Sequence, residues 1–342
     1  MAKLAIEGEP MISEDVRHLA LSPGLIWGYD FVDGRAAPVT DNDLSDAPTP
    51  GATFRWLHFN LADQRTVRWL DAMRPLPTSV AELLGSPDGT QRFVIEESVI
   101  GLVLHDLEFE FIEAEPRVGT VKIIIGPNLV ITGRSHPLRS AEVIRKRLGA
   151  GAHVPDSAAA LELIFAALVE VFRNVNTDLE ADVQAVEDEL LRDRPMTDAR
   201  TFINMRSLMV RLHRLYGGTR GLLGRLDDEP GVSAAHLAAI AKFAGRLSNL
   251  DADLLAIQSQ LRLLRDELDL QAAQQTNQNL YFLSVLTALL MPATLVTGIF
   301  GMNTGGLLWT SGKYGSLFAT LLALGSAAGV YLILRLSGFI RR

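Results

Sequence analysis

The chain has 342 residues, 48% of them hydrophobic and 21% charged, with a formal net charge of −8 and no cysteine. That length allows two or three domains, and the missing cysteines exclude disulfides, Cys-ligated zinc, iron–sulfur clusters and cysteine nucleophiles. With 40 acids against 32 bases the balance is wrong for gripping a phosphate backbone, so no nucleic-acid partner is expected.

Up to about residue 155 the chain mixes strand-like runs with turn clusters. β-Branched and aromatic residues predict strands over Leu25–Phe31, Phe54–Asn60, Ser98–His105, Val118–Ile125 and Leu129–Thr132. Helical patterns fall over Asp63–Met73, Thr78–Leu84 and Pro137–Leu148. An α/β domain over 1–155 follows, with its strand order left open. In the run His105–Glu113 acids alternate with apolar residues. As a strand it lines up Asp106, Glu108 and Glu110, either as a solvated face or as a regulatory metal site.

From Asp156 the texture changes to long helices. Ser157–Asp193 has no glycine or proline and stops at Pro195. A second helix over Thr197–Leu226 is interrupted at Gly217–Gly218 and ends near Pro230–Gly231. Ser233 then caps a third. Its apolar row runs Ile240, Phe243, Leu247, Leu250, Leu254, Ile257, Leu261, Leu264, Leu268 at alternating steps of three and four, the pattern of a bundle or coiled coil. No turn signal follows, so one helix is predicted over Ala234–Phe300, about 100 Å long at 1.5 Å per residue. One small domain cannot hold such a helix, and symmetry copies should pack on it.

The last acid is Asp269, and the four later charges are Lys313, Arg335, Arg341 and Arg342, so the first 269 residues carry −12. Leu280–Phe300 and Tyr314–Leu334 are each 21 residues without a charge, long enough to span a bilayer core. The N-terminus carries acids and no long apolar run, so no signal peptide is expected. Arg335, Arg341 and Arg342 follow the second span, whereas the connecting loop has only Lys313. Positive-inside counting puts both termini and the acidic front in the cytoplasm and the loop outside. The expected plan is an α+β membrane protein: a cytosolic α/β domain (1–155), a helical funnel or stalk (156–279), a first transmembrane helix (280–300), an external loop (301–313), a second transmembrane helix (314–334) and a basic cytosolic tail (335–342).

Within the first span, Asn277, Leu280, Ser284, Thr287, Met291, Thr294 and Gly298 follow one another at steps of three and four. They share one helix face, and because lipid offers hydroxyls and amides no partner, that face should meet protein or water. Helix–helix packing is one reading and a pore lining is the other. The pore reading gains from the mouth below, where Gln271, Gln274, Gln275, Asn277, Gln278 and Asn279 form an amide-rich collar above Asp266 and Asp269. Oxygens of this kind around an axis suit hydrated cations. Pro292 leaves the Ala288 carbonyl without its helix donor.

Gly301-Met302-Asn303 closes this proline-bearing helix and precedes a short loop and a last span. In that position the triplet resembles the signature of the CorA family of divalent cation transporters. The wider run from Met291 to Gly306 looks like the family's zinc-transporting ZntB branch. The resemblance implies a homopentamer whose long helix lines a central pore, with Gly301, Met302 and Asn303 at the external entrance. There Asn303 would hold a hydrated metal ion, its neutral amide bonding first-shell water without stripping the ion. Gly301 would let the chain turn sharply as the helix ends. Magnesium-type members carry an acid in the next loop. Here Thr304–Lys313 reads TGGLLWTSGK, with none, which favours zinc.

The histidines, His18, His58, His105, His136, His153, His213 and His236, show no zinc-ligand spacing and read as surface or core residues. Gly325 and Gly329 match a small-xxx-small pattern suited to packing the second span on the first. No phosphate loop or hydrolase elbow is present, so neither enzyme chemistry nor a resident cofactor is expected. The leading expectation is zinc uptake across the inner membrane through a homopentameric pore, with proton coupling, which the ZntB resemblance adds, left open and magnesium, cobalt and nickel as other cargoes. A CorA-type magnesium or cobalt channel is the alternative, and a tethered cytosolic sensor or scaffold is a second one.

Overall fold

The computed structural model describes residues 24–39, 48–66, 70, 76–109, 116–192, 199–302 and 314–339. The chain divides into two compact units, Met1–Leu261 and Arg262–Arg342. Seven strands of the first form one sheet: β1 Leu25–Val32, β2 Arg35–Pro38, β3 Phe54–Asn60, β4 Arg92–Glu96, β5 Val99–Leu107, β6 Val118–Ile125 and β7 Leu129–Arg134. Their order is β2-β1-β3-β7-β6-β5-β4, and every neighbouring pair is antiparallel except β3 and β7.

Two predicted strands, Phe54–Asn60 and Val118–Ile125, agree residue for residue; the other three end one or two residues later than expected, and β5 starts at Val99 because Ser98 belongs to the turn before it. The edge strands β2 and β4 were not predicted. Each is short and joined by a two-residue turn: Asp33–Gly34 with φ of 47° and 73°, and Glu97–Ser98 with φ of 50° and 68°. Both are left-handed hairpin turns. Only the Asp-Gly pair announces itself in sequence, because glutamate and serine resist positive φ by about 1–2 kcal/mol each. The helix predicted over Asp63–Met73 lies partly outside the described residues.

Helix α1, Thr78–Gly85, covers one face of the sheet, packing Val80, Leu83 and Leu84 on Leu57, Phe59, Val103 and Ile131. Alternate residues of the same strands point the other way. On that face Trp56 Nε1 donates to Thr132 Oγ1 at 3.0 Å, His58 Nδ1 lies 2.8 Å from the same oxygen, and Trp27 stacks on the His58 ring. Asp106 points the same way and is fully buried. Its Oδ2 accepts from Ser140 N at 3.2 Å, near the start of helix α2, Arg139–Gly149. The expectation of a solvated acidic face therefore fails at Asp106, whose carboxylate satisfies a helix-terminal amide instead. Glu110 lies outside the described residues.

His58 and Asp106 give the fold opposed responses to acid. Burial, helped by Arg134, pushes His58 down to about 3; burial, opposed by the Ser140 and Leu107 bonds, pushes Asp106 up to about 6. Below about pH 6.5 the unfolded chain protonates His58 and the folded chain does not, so stability falls with pH. Below pH 6 the folded chain protonates Asp106 while the unfolded one waits until about pH 4, so stability rises. Between pH 4 and 6 two slopes of about 1.4 kcal/mol per pH unit cancel. In full-length protein in detergent, His58→Gln should make stability rise on acidification relative to wild type, and Asp106→Asn should make it fall. Parallel profiles for all three proteins would contradict both assignments.

Three long helices complete the first unit: α3 Ser157–Leu191, α4 Ala199–Asp227, and the portion of α5, Ala234–Gly301, up to Leu261. Asp156 caps α3, its Oδ1 accepting from Ala159 N at 2.8 Å. The predicted apolar row of α5 is buried from Ile240 to Leu268. Phe243 stacks on Phe165 of α3 with ring centroids 4.3 Å apart. Helix α4 runs through Gly217–Gly218 without the predicted interruption. Glycine costs a helix about 1 kcal/mol, and burial of Tyr216, Thr219, Leu222 and Leu223 around the pair outweighs it. Gly218 has a packing role: a Cβ there would lie 2.7 Å from Gln91 Oε1, whose amide donates to Thr219 Oγ1.

In the second unit the rest of α5 packs with α6, Gly315–Leu336, and both helices are long and apolar enough to cross a membrane. Tyr281 OH donates to Phe339 O at 2.6 Å. Leu289, Ala293 and Thr297 of α5 face Thr320, Ala323 and Ala327 of α6 across a groove of about 540 Å³. Gly325 and Gly329 do not make this contact, since a Cβ at either meets open space. The row that faces α5 is set one residue to the side of them.

Candidate functional site

The portion of α5 beyond Leu261 carries the candidate site. Asn277, Leu280, Ser284, Thr287, Met291, Thr294 and Gly298 are all exposed, on a face that α6 does not cover. Leu280 and Met291 are 57% and 65% exposed, as bare as Phe282 and Leu295 on the neighbouring faces, so its polar groups rather than exposure set this face apart. Helix periodicity extends the face back through Gln274 and Leu270 to Asp266, with Asp269 beside it, and both acids are exposed. Arg265 lies 3.9 Å from Asp269, a solvent-screened pair worth well under about 1 kcal/mol.

Two of the three hydroxyls on this face already have partners in their own helix, so the argument from sequence holds for Ser284 and not for the threonines. Thr287 Oγ1 donates to Leu283 O at 2.8 Å and Thr294 Oγ1 donates to Leu290 O at 2.9 Å. Threonine in a helix takes this bond back to the preceding turn. With the proton so committed, each oxygen presents only lone pairs outward, as an acceptor. Ser284 and Asn277 have no hydrogen-bond partner among the described residues. The face thus offers oxygen acceptors without a carboxylate along its apolar length. A cation that keeps its water shell is the species such a surface suits, because first-shell water donates to those acceptors.

At the far end α5 closes at Gly301, and Met302 N still donates to Ile299 O at 3.3 Å. Gly301 is helical, so the sharp turn expected at it does not occur there. Asn303 and the loop to Lys313 lie outside the described residues. Pro292 sits inside the unbroken helix. Among the described residues no three His, Asp or Glu side chains converge as a metal site.

Sequence reasoning missed Asp251. It lies on α5 at 5% exposure within the apolar row, one position past Leu250. His213 Nδ1 is 2.6 Å from its Oδ1 and Arg220 Nη1 is 3.6 Å from its Oδ2, so two α4 side chains hold one α5 carboxylate. At the adjacent residue Asn176 of α3 donates to Leu250 O at 2.9 Å and accepts from Tyr216 OH at 2.9 Å. An acid standing four residues past Leu247 and three before Leu254 was the available signal.

The sequence profile described as CorA-like Mg2+ transporter protein matches residues 51–336. A zinc transport protein ZntB of Pectobacterium atrosepticum is 24% identical over 311 residues, spanning 90% of this chain and 93% of that protein. The full-length CmaX structure covers 92% of this chain and 97% of its own, at 21% identity and a TM-score of 0.74. The complete CorA magnesium transporter of Methanocaldococcus jannaschii covers 92% of this chain and 98% of its own, at 16% identity and a TM-score of 0.74. The ZntB cytoplasmic domain of Vibrio parahaemolyticus covers 74% of this chain and all of its own, at 15% identity and a TM-score of 0.61. These structural likenesses bear on the fold: an α/β domain, a long helix and two apolar C-terminal helices. With the profile spanning most of its length, the chain belongs to the CorA-like family of divalent metal-ion transporters.

Proposed function

We propose that the chain takes up divalent cations, zinc foremost, across the cytoplasmic membrane, through a pore ringed by the α5 helices of several copies, most simply five. The observation that carries this reading is the bare face from Asn277 to Gly298, which offers acceptor oxygens and is turned away from α6. Asp266 and Asp269 form the inner mouth, and Gly301, Met302 and Asn303 form the outer one. Basic residues at 335, 341 and 342 keep both termini cytosolic. The chain conducts and does not catalyse. Membrane potential drives entry, at about 2.3 kcal/mol per charge per 100 mV and twice that for a divalent ion.

Magnesium is the second reading, favoured by the description of the matching profile. The acid-free loop TGGLLWTSGK and the ZntB relative support zinc instead. The cysteine-free chain allows one experiment to test face and cargo together. In proteoliposomes, single cysteines at Thr287, Met291 or Thr294 should react with a small aqueous thiol reagent and lose zinc flux. Cysteines at Leu289 or Ala293, against α6, should be protected. Equal protection at all five positions overturns the pore face, and magnesium outcompeting zinc in the unmodified protein overturns the cargo.

A further inference from the structure

One helix runs against the acidic balance of the chain. α4 holds Arg200, Arg206, Arg211, Arg214, Arg220 and Arg225 against Asp227 alone. α3 is its opposite, with eight acids against Arg173. On α4 the row Met205, Met209, Leu212, Tyr216 and Leu223 is buried. On the other side of the helix Ile203, Val210, Gly217 and Gly224 recur every seven residues, with Gly221 between the last two. Ile203 is 65% exposed, and a Cβ on Gly217, Gly221 or Gly224 would meet open space. Arg206, Arg214 and Arg225 flank this row, exposed and without an ion-pair partner among the described residues.

α3 has a matching outward side. Asn174, Thr177, Ala181 and Asp188 lie opposite the buried Phe172, Val175, Leu179 and Val183. Asp178 and Glu180 flank it, exposed and likewise without an ion-pair partner among the described residues, while Asp188 has only a loose contact to Arg192 at 3.8 Å. The two sides cannot cover each other within one chain, because each points away from the bundle the helices share. A closed ring of more than two identical chains needs two different, complementary surfaces on every chain. The side-chain row at the contact sets how closely two helices approach, so the glycines admit a partner backbone.

We propose that the arginine-flanked side of α4 is an interface between copies, and that it receives the acidic outward side of α3 from the next copy. This rests on the self-assembly proposed above. Charge complementarity fixes the pairing: Arg206, Arg214 and Arg225 meet a helix bearing Asp178, Glu180 and Asp188, while α4 against α4 or α3 against α3 sets like charges together.

Charge reversal tests it on the full chain in mild detergent. Arg206→Glu with Arg214→Glu should raise the protein concentration needed for assembly at least about tenfold, since like-charge juxtaposition across an interface costs several kcal/mol. Asp178→Arg with Asp188→Arg should do the same, and all four substitutions in one chain should restore assembly. Ala181→Cys with Gly221→Cys, oxidised with copper phenanthroline, should give a ladder of cross-linked copies on a denaturing gel. Gly221→Cys alone should give none. An intact oligomer by native mass with no ladder and no effect of reversal overturns this interface and leaves self-assembly standing. A monomer in the unmodified protein overturns both. Reversal that weakens binding to anionic vesicles while assembly is unchanged assigns the arginines to lipid and also overturns the interface.

Discussion

Asn303→Ala should lower metal flux at least about tenfold while leaving oligomeric mass and melting temperature at their wild-type values. The proposed role of Asn303 is to hydrogen-bond water in the first shell of an incoming ion. Hydrogen bonds to charged groups are worth about 1.5–3 kcal/mol, and about 1.4 kcal/mol is a factor of ten in rate. In a ring the loss recurs at every copy. The alanine chain keeps its helix, because α5 already ends at Gly301 through the Met302 to Ile299 bond. Asn303→Asp, which keeps an acceptor and adds charge, should retain flux. Wild-type flux from a properly assembled Asn303→Ala protein removes the residue from the entrance.

The largest effect on stability should come from the β1–β3 pair. Arg55 is fully buried, and its Nε and Nη2 donate to Asp30 Oδ1 and Oδ2 at 2.8 and 2.9 Å. Burial pushes the Asp30 carboxyl up, but the bonds from Arg55 and Thr49 outweigh it and hold the group below the usual carboxylate range. That contribution is present above the unfolded value near pH 4 and is lost as pH falls through the lower folded value. Arg55→Met leaves a buried carboxylate uncompensated and should cost about 3–5 kcal/mol in denaturant unfolding. Adding Asp30→Leu removes the stranded charge and should recover most of the loss. A single variant within about 1 kcal/mol of wild type, judged against that range, would show that the pair is not the clamp its geometry indicates.

How far the sequence reveals this fold depends on the range of the forces involved. β3 and β6 are buried on most residues and rich in aromatic or β-branched side chains, so they stand out locally although Arg55, His58 and Lys122 interrupt them. The apolar row of α5 is a local period and was equally plain. The edge strand β4 was not, because its turn residues Glu97 and Ser98 carry no turn chemistry and the sheet alone imposes their φ. Gly217–Gly218 misled for the same reason: local propensity says break, while neighbours distant in sequence hold the helix. Asp30, His58, Asp106 and Asp251 were illegible as core groups because their partners lie 25, 74, 34 and 38 residues away. The candidate face was legible as spacing. The commitment of its two threonine protons to α5 itself came from the structure.

The level of Leu250 and Asp251 works as a fulcrum for α5. Above and below it the helix meets its neighbours mainly through apolar side chains, whose attraction has no direction and tolerates slippage, with Lys242–Glu162 and Gln260–Glu187 as polar contacts between long, flexible side chains. At this level the contacts are directional: Asn176 reaches the Leu250 carbonyl, and His213 and Arg220 reach the Asp251 carboxylate. A piston stroke of one helical turn, about 5.4 Å, breaks all three at once. A tilt about the same point keeps them. Motion of this helix within its bundle is therefore that of a pinned lever, which tilts about this level with its axial register unchanged.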